Sequence, residues 1–125
     1  MRNSRAIILI VDDEPIPLML RKSVLQKAGY EVAAANSGSE ALEILASQPV
    51  DLVLTDLLMP GLSGTELARE IKGRVPDLPV VLYSGVNEIP EDAAAADLFI
   101  SKVEGPVAMC AKIGEILKNR GKAVA

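Results

Sequence analysis

Four short apolar runs punctuate this chain, and each ends on a polar or charged residue. Ala6-Ile-Ile-Leu-Ile-Val11 stops at Asp12-Asp13-Glu14, Leu52-Val53-Leu54 at Thr55-Asp56, Pro79-Val-Val-Leu-Tyr83 at Ser84-Gly85, and Leu98-Phe-Ile100 at Ser101-Lys102. Rich in Val, Ile and Leu and without alternation, all four read as strands: Leu52-Val53-Leu54 as one buried on both faces, Ala6–Val11 as a central one, and the runs from Pro79 and Leu98 as the fourth and fifth strands of the series. A fifth segment, Tyr30-Glu-Val-Ala-Ala-Ala35, alternates weakly and reads as a strand near a sheet edge.

Between the runs the period changes to that of helices. Pro15 and Pro17 suit a loop and a first helical turn, Ile16, Leu20, Val24 and Ala28 recur every four residues as an apolar face, and Gly29 stops the helix. Ser37 with Glu40, and Ser63 with Glu66, are capping boxes. They open a second helix running to about residue 47, with Leu42 and Leu45 inward, and a third running to about residue 73, with Leu67 and Ile71 inward. Residues 88–96 carry Pro90, Glu91 and Asp92 ahead of four alanines, a short helix with little apolar face that is expected to move. Met109, Ile113, Ile116 and Leu117 mark a last helix. Strand and helix thus alternate five times. That pattern predicts an α/β, doubly wound five-stranded parallel sheet with right-handed crossovers and helices on both faces.

Length and composition narrow this picture. The 125 residues fit one domain, 1–125, with frayed tails at 1–5 and 120–125. Half the residues are hydrophobic but only 2% are aromatic, so the core is aliphatic. A net charge of −4 with no basic stripe argues against direct nucleic-acid binding, which draws on Lys and Arg at phosphates. Cys110 is the single cysteine and there is no histidine, which excludes an intrachain disulfide, a Cys-based zinc site and a histidine base. A reducing cytoplasm fits best, and no export signal or membrane span is evident. Cys110 and Met59 read as packing residues.

In open parallel sheets, ligands bind outside the carboxyl ends of the strands. Taken alone, Asp56 reads as a turn residue closing its strand. The other strand ends change that, because they bring Asp12, Asp13, Ser84 and Lys102 to the same edge. Three crowded carboxylates repel unless a cation offsets them, and oxygen-only donors select a hard ion such as Mg²⁺. Lys102 and Ser84 are not needed to hold a cation but suit the oxygens of a phosphoryl group. The economical chemistry makes Asp56 a nucleophile toward phosphorus.

With Asp12-Asp13 after the first strand, Asp56 in D-L-L-M-P-G after the third, Ser84-Gly85 after the fourth and Lys102 after the fifth, the chain resembles the receiver (response-regulator) domain of two-component signalling. The single-domain chemotaxis regulator is the simplest form of that family, and the resemblance spans residues 7–117. It implies a flavodoxin-like sheet of order 2-1-3-4-5. It implies that Asp56 is the phosphoacceptor, fed by a sensor histidine kinase or phosphotransfer protein. Asp13 and Asp56 would ligate Mg²⁺ directly, Asp12 through water, and the backbone carbonyl of Leu58 would complete the protein ligands. Ser84 would swing to the phosphoryl group, Lys102 would pair with it, and Phe99 falls where the family places a switching aromatic. The fourth strand, the 88–96 helix and the fifth strand would form the face read by a downstream protein target. The domain assists its own phosphorylation and dephosphorylation but is not an enzyme of turnover. Because the chain ends soon after its last helix, a stand-alone module without a DNA-binding output is expected.

Two positions depart from the family pattern. Val103 follows Lys102 where the family usually has proline in a cis peptide. A cis bond before a non-proline residue costs about 2.5–4 kcal/mol, which favours a trans loop with Lys102 placed differently. Leu58 and Val86, which in the family flank the path of the hydrolytic water, are both apolar, so slow dephosphorylation is expected. Among the rivals, an Asp-nucleophile phosphohydrolase would want a second carboxylate two residues after Asp56, where Leu58 stands. A pseudo-receiver scaffold that docks partners without being phosphorylated draws support from Val103, and a receiver cut from a larger hybrid kinase or regulator keeps every motif. A flavin-binding module is disfavoured by the three acids and by the lack of a phosphate-cradling loop.

Overall fold

The computed structural model describes residues 5–85 and 96–119. Its five strands, β1 (Ile7–Val11), β2 (Glu31–Ala35), β3 (Leu52–Asp56), β4 (Val80–Ser84) and β5 (Leu98–Ser101), form one sheet in the order β2-β1-β3-β4-β5. All pairings are parallel, as the alternation of elements predicted. β3 and β4 are buried along their whole length, which is why their sequences show no polar alternation. β2 lies at an edge, in keeping with its weaker pattern.

Four helices are described: α1 (Pro15–Lys27), α2 (Gly38–Ser47), α3 (Gly64–Arg74) and α4 (Gly105–Asn119). The two-residue period of the strands divides the core in two. Ile8, Ile10, Leu52, Leu54, Val81 and Ile100 point to the side that holds Leu25 of α1 and Met109, Ile113 and Leu117 of α4. Leu9, Val11 and Val53 point to the side that holds Ala41 of α2 and Leu67, Ala68 and Ile71 of α3. Helices therefore cover both faces. Met59 and Cys110 pack against these two clusters.

Several local expectations need correction. On α1, Val24 and Ala28 pack against the core as expected, but Ile16 and Leu20 face solvent, and Leu18, Arg21 and Leu25 complete the inward face. The reason is geometric: a four-residue step overshoots a helical turn by about 40°, so a series of such steps drifts round the helix instead of holding one face. Ser63 and Glu66 form the full capping box of α3, but at α2 only half of it appears. Ser37 Oγ accepts from Glu40 N, whereas Glu40 Oε1 accepts from Asn36 N rather than from Ser37 N. Of the predicted helix at 88–96, residues 88–95 lie outside the described residues and Ala96 is not helical. The predicted tails fall outside them too, except for Arg5. An unexpected 3₁₀ turn, Lys102–Glu104, joins β5 to α4. No helix among the described residues is long and apolar enough to cross a membrane.

Candidate functional site

The period that divides the core also builds the site. Asp56 ends β3 in register with Tyr83 of β4, on the side of the sheet that α1 and α4 cover. Asp12, one residue past β1, continues the alternation of Ile8 and Ile10 onto that same side, fully buried. Asp13 follows it and is the most open of the three acids. The carboxylates of Asp12, Asp13 and Asp56 each offer a ligand oxygen, and these atoms all lie within 4.8 Å of one another. An all-oxygen donor set of this kind fits a hard cation such as Mg²⁺.

Lys102 reaches this cluster although its peptide to Val103 is not cis. Its Nζ stands 2.7 Å from Asp56 Oδ1, so the expected displacement of the lysine does not occur. The loop explains why. Ser101 Oγ accepts from Val103 N at 3.3 Å, Glu104 Oε2 accepts from Ser101 N at 3.0 Å, and Glu104 pairs with Lys112 of α4. The N–H that a proline would lack is thus used to fold the turn, and Gly105, at φ +83°, supplies the left-handed residue that leads into α4. Ser84 is buried at the end of β4 in register with Ser101. Leu58, two residues past Asp56, turns its side chain 65% to solvent. Phe99 is half-buried on β5 beside Leu82 and Leu57, on the face opposite Ile100. Val86 lies outside the described residues.

Burial pushes the Asp56 carboxyl above the ordinary carboxylate range, and the nearby Asp12 charge adds to this. The hydrogen bond and charge of Lys102, together with the charge of Arg21, pull the other way without cancelling it. Asp56 is therefore held basic and close to a cation, which suits a carboxylate that must attack an electrophile.

One member of the site does not stand out in the sequence. Arg21 is buried on the inner face of α1 and donates from both guanidinium Nη atoms to Asp12 Oδ2, from Nη1 at 3.1 Å. Its guanidinium carbon also lies 4.7 Å from the centre of the Tyr83 ring, and Lys102 Nζ lies 5.8 Å from it. The signal was available: Leu18, Arg21 and Leu25 have the i, i+3, i+7 spacing of an inward face, so a charge at Arg21 faces the sheet.

The family model described as the response regulator receiver domain matches residues 8–114. The transcriptional regulatory protein GlrR of Escherichia coli is 39% identical over 95 residues, covering 76% of this chain and 21% of that protein. This chain spans about half the length, or less, of the curated relatives it matches. The response regulator protein TrrA of Thermotoga maritima, solved in complex with Mg²⁺ and BeF, superposes with a TM-score of 0.85 at 36% identity, covering 90% of this chain and 99% of that one. TrrA solved in complex with the histidine kinase ThkA gives a TM-score of 0.83 at 36% identity, covering 90% and 98%.

Proposed function

This chain belongs to the response regulator receiver family, and from that premise we propose that it accepts a phosphoryl group on Asp56, from a sensor histidine kinase or phosphotransfer protein. The observation that carries the reading is the convergence of three carboxylates and Lys102 at one end of the sheet, with Lys102 Nζ 2.7 Å from Asp56 Oδ1. An Asp56 oxygen attacks the donor phosphorus, the bond from phosphorus to the donor breaks, and the donor leaves with the electron pair. Lys102 holds the negative charge that builds on the phosphoryl oxygens, and the buried Ser84 hydroxyl approaches them from β4. Asp13, Asp56 and the Leu58 carbonyl would hold Mg²⁺ directly and Asp12 would hold it through water. When bound, the ion supplies positive charge to the phosphoryl oxygens and offsets the acids. The domain is a phosphoacceptor that switches, with Phe99 and the face around β4 and β5 reporting the change to a downstream protein. The cytoplasm is its proposed compartment.

The first test is intact mass after incubation with acetyl phosphate. A single phosphoryl adduct that requires Mg²⁺ is expected. An absence of adduct despite Mg²⁺ binding would favour a scaffold that docks partners without being phosphorylated.

The first turns of α1 and the segment after Lys102 also suggest a surface for the phosphodonor. Ile16, Met19 and Leu20 in the first turns of α1, which begins just after Asp12-Asp13, and Val103 and Val107, which follow Lys102 in the chain, are exposed large apolar residues. Exposed apolar residues that follow the site's acids and lysine so closely in the chain suit docking of an apolar helical surface on the phosphodonor. Leu20→Glu is expected to slow transfer from a cognate kinase by at least about tenfold, the scale of an interface anchor, with acetyl phosphate uptake unchanged. Equal losses with both donors would place Leu20 in folding rather than docking.

The exposed Leu58 side chain offers no polar group to orient an attacking water. The phosphoryl group is therefore expected to be long-lived. Leu58→Asn should shorten its half-life several-fold, followed by the decay of the adduct in wild type and variant side by side.

A further inference from the structure

We infer that Arg21 is a built-in counter-cation for Asp12 that competes with the divalent ion, setting how much Mg²⁺ the site needs. This rests on the reading of Asp12, Asp13 and Asp56 as the metal-holding acids. Asp12 is fully buried, and both its oxygens are engaged: Oδ1 accepts from Glu14 N at 2.9 Å and Oδ2 accepts from both Nη atoms of Arg21. Three carboxylates at such close range would repel one another without a cation, yet two side-chain cations already stand among them, Arg21 on Asp12 and Lys102 on Asp56. Most of the acidic charge is thus offset before any metal arrives. An incoming Mg²⁺ must share Asp12 with a guanidinium, in a place where water screens poorly.

Geometry also holds Arg21 there. Its residue is only 8% exposed, on the face of α1 that also carries Leu18 and Leu25 into the core, and the Tyr83 ring centre lies 4.7 Å from its guanidinium carbon. A buried guanidinium without a partner would be costly, so Arg21 does not leave Asp12 for solvent. Arg21 is therefore a positioning residue. It keeps Asp12 fixed and the metal-free site folded, at the cost of weaker Mg²⁺ binding.

The test is calorimetric titration of Mg²⁺ alone into the full chain, with thermal melts with and without the ion, for wild type, Arg21→Met, Arg21→Gln and Arg21→Lys. Arg21→Met keeps the stem and removes the charge. It is expected to lower the Mg²⁺ Kd by at least about tenfold, within the usual range of coupling between sites, and to show a larger Mg²⁺-induced rise in Tm than wild type. Arg21→Lys should keep a Kd within about threefold of wild type. Should Arg21→Met fail to fold without Mg²⁺, Arg21→Gln decides, because it is neutral but can still donate to Asp12. Equal Kd values in all four proteins would overturn the inference while leaving the metal site intact. Tightening in Arg21→Lys as large as in Arg21→Met would overturn it too, since charge would not be the cause. If none of the four binds Mg²⁺, both this inference and the metal site fall.

Discussion

Asp56→Asn is expected to lose all phosphoryl uptake and, without Mg²⁺, to melt at a higher temperature than wild type. The first effect follows from chemistry: an amide oxygen of the same shape has no anionic nucleophile to offer. The second follows from burial. Asp56 is 8% exposed, and its carboxyl is pushed above the ordinary range because the ionised form is poorly solvated there. A carboxyl whose pKa is raised on folding contributes stability that is fully present below its unfolded value and lost as pH rises through its folded value. At neutral pH the wild type has lost that contribution, whereas the neutral asparagine never depends on it. Lys102, left without its partner, is one-third exposed and can turn to water. The gap in metal-free Tm should therefore be open at neutral pH and close as the solution is acidified through the Asp56 titration. Melts from neutral to acidic pH check this, with intact mass as the companion measurement. An adduct that survives in Asp56→Asn would place the phosphoryl group on another residue.

The parts of this site that were legible in the sequence are those fixed by chain direction. In a parallel sheet all strands end at one edge, so the residues after each apolar run meet there whatever the details of packing. Asp12, Asp13, Asp56, Ser84 and Lys102 are all of this kind. What periodicity could not deliver depends on which way a helix is turned and how a loop closes. The four-residue spacing of Ile16, Leu20, Val24 and Ala28 looked like one face. The sheet kept its C-terminal half, Val24 and Ala28, but in the first turns it took Leu18 and Arg21 in place of Ile16 and Leu20, in the orientation that seats Leu25 in the core and Arg21 on Asp12. The missing proline after Lys102 pointed to a displaced lysine. A capping interaction among Ser101, Val103 and Glu104 instead closes the turn by means that a proline rule does not contain. The proposed docking surface was hidden by the same error, since Ile16 and Leu20, two of the residues assigned to the core of α1, are left exposed.

Gly64→Ala is expected to unfold the molecule far more readily than its chemistry suggests, and to disable Asp56 from behind. Gly64 opens α3 and donates its N–H to Leu57 O at 2.8 Å, tying the helix start back to the end of β3. A Cβ at this position would sit 2.2 Å from the Asp56 carbonyl oxygen and 3.0 Å from both Leu57 Cα and Leu82 Cδ2. Two of those three atoms are backbone, and β3 is locked between β1 and β4, so no side-chain rotation relieves the contact. Overpacking of a closed core costs about 1–3 kcal/mol, and with rigid neighbours the upper end applies, a fall in Tm of roughly 10 °C for a domain of this size. Gly73 is the internal control. It lies near the end of the same helix with nothing within 4 Å of its would-be Cβ, so Gly73→Ala should gain about 0.5–1 kcal/mol from helix propensity alone. Each variant adds one methyl group to the same helix, and the two are expected to move Tm in opposite directions. The fraction of Gly64→Ala that remains folded should take up the phosphoryl group more slowly, because strain at the Asp56 carbonyl shifts its carboxylate away from Lys102. Normal stability and normal uptake in Gly64→Ala would mean that the start of α3 can slide along β3, and that the position of Asp56 is set by the strand without help from the helix behind it.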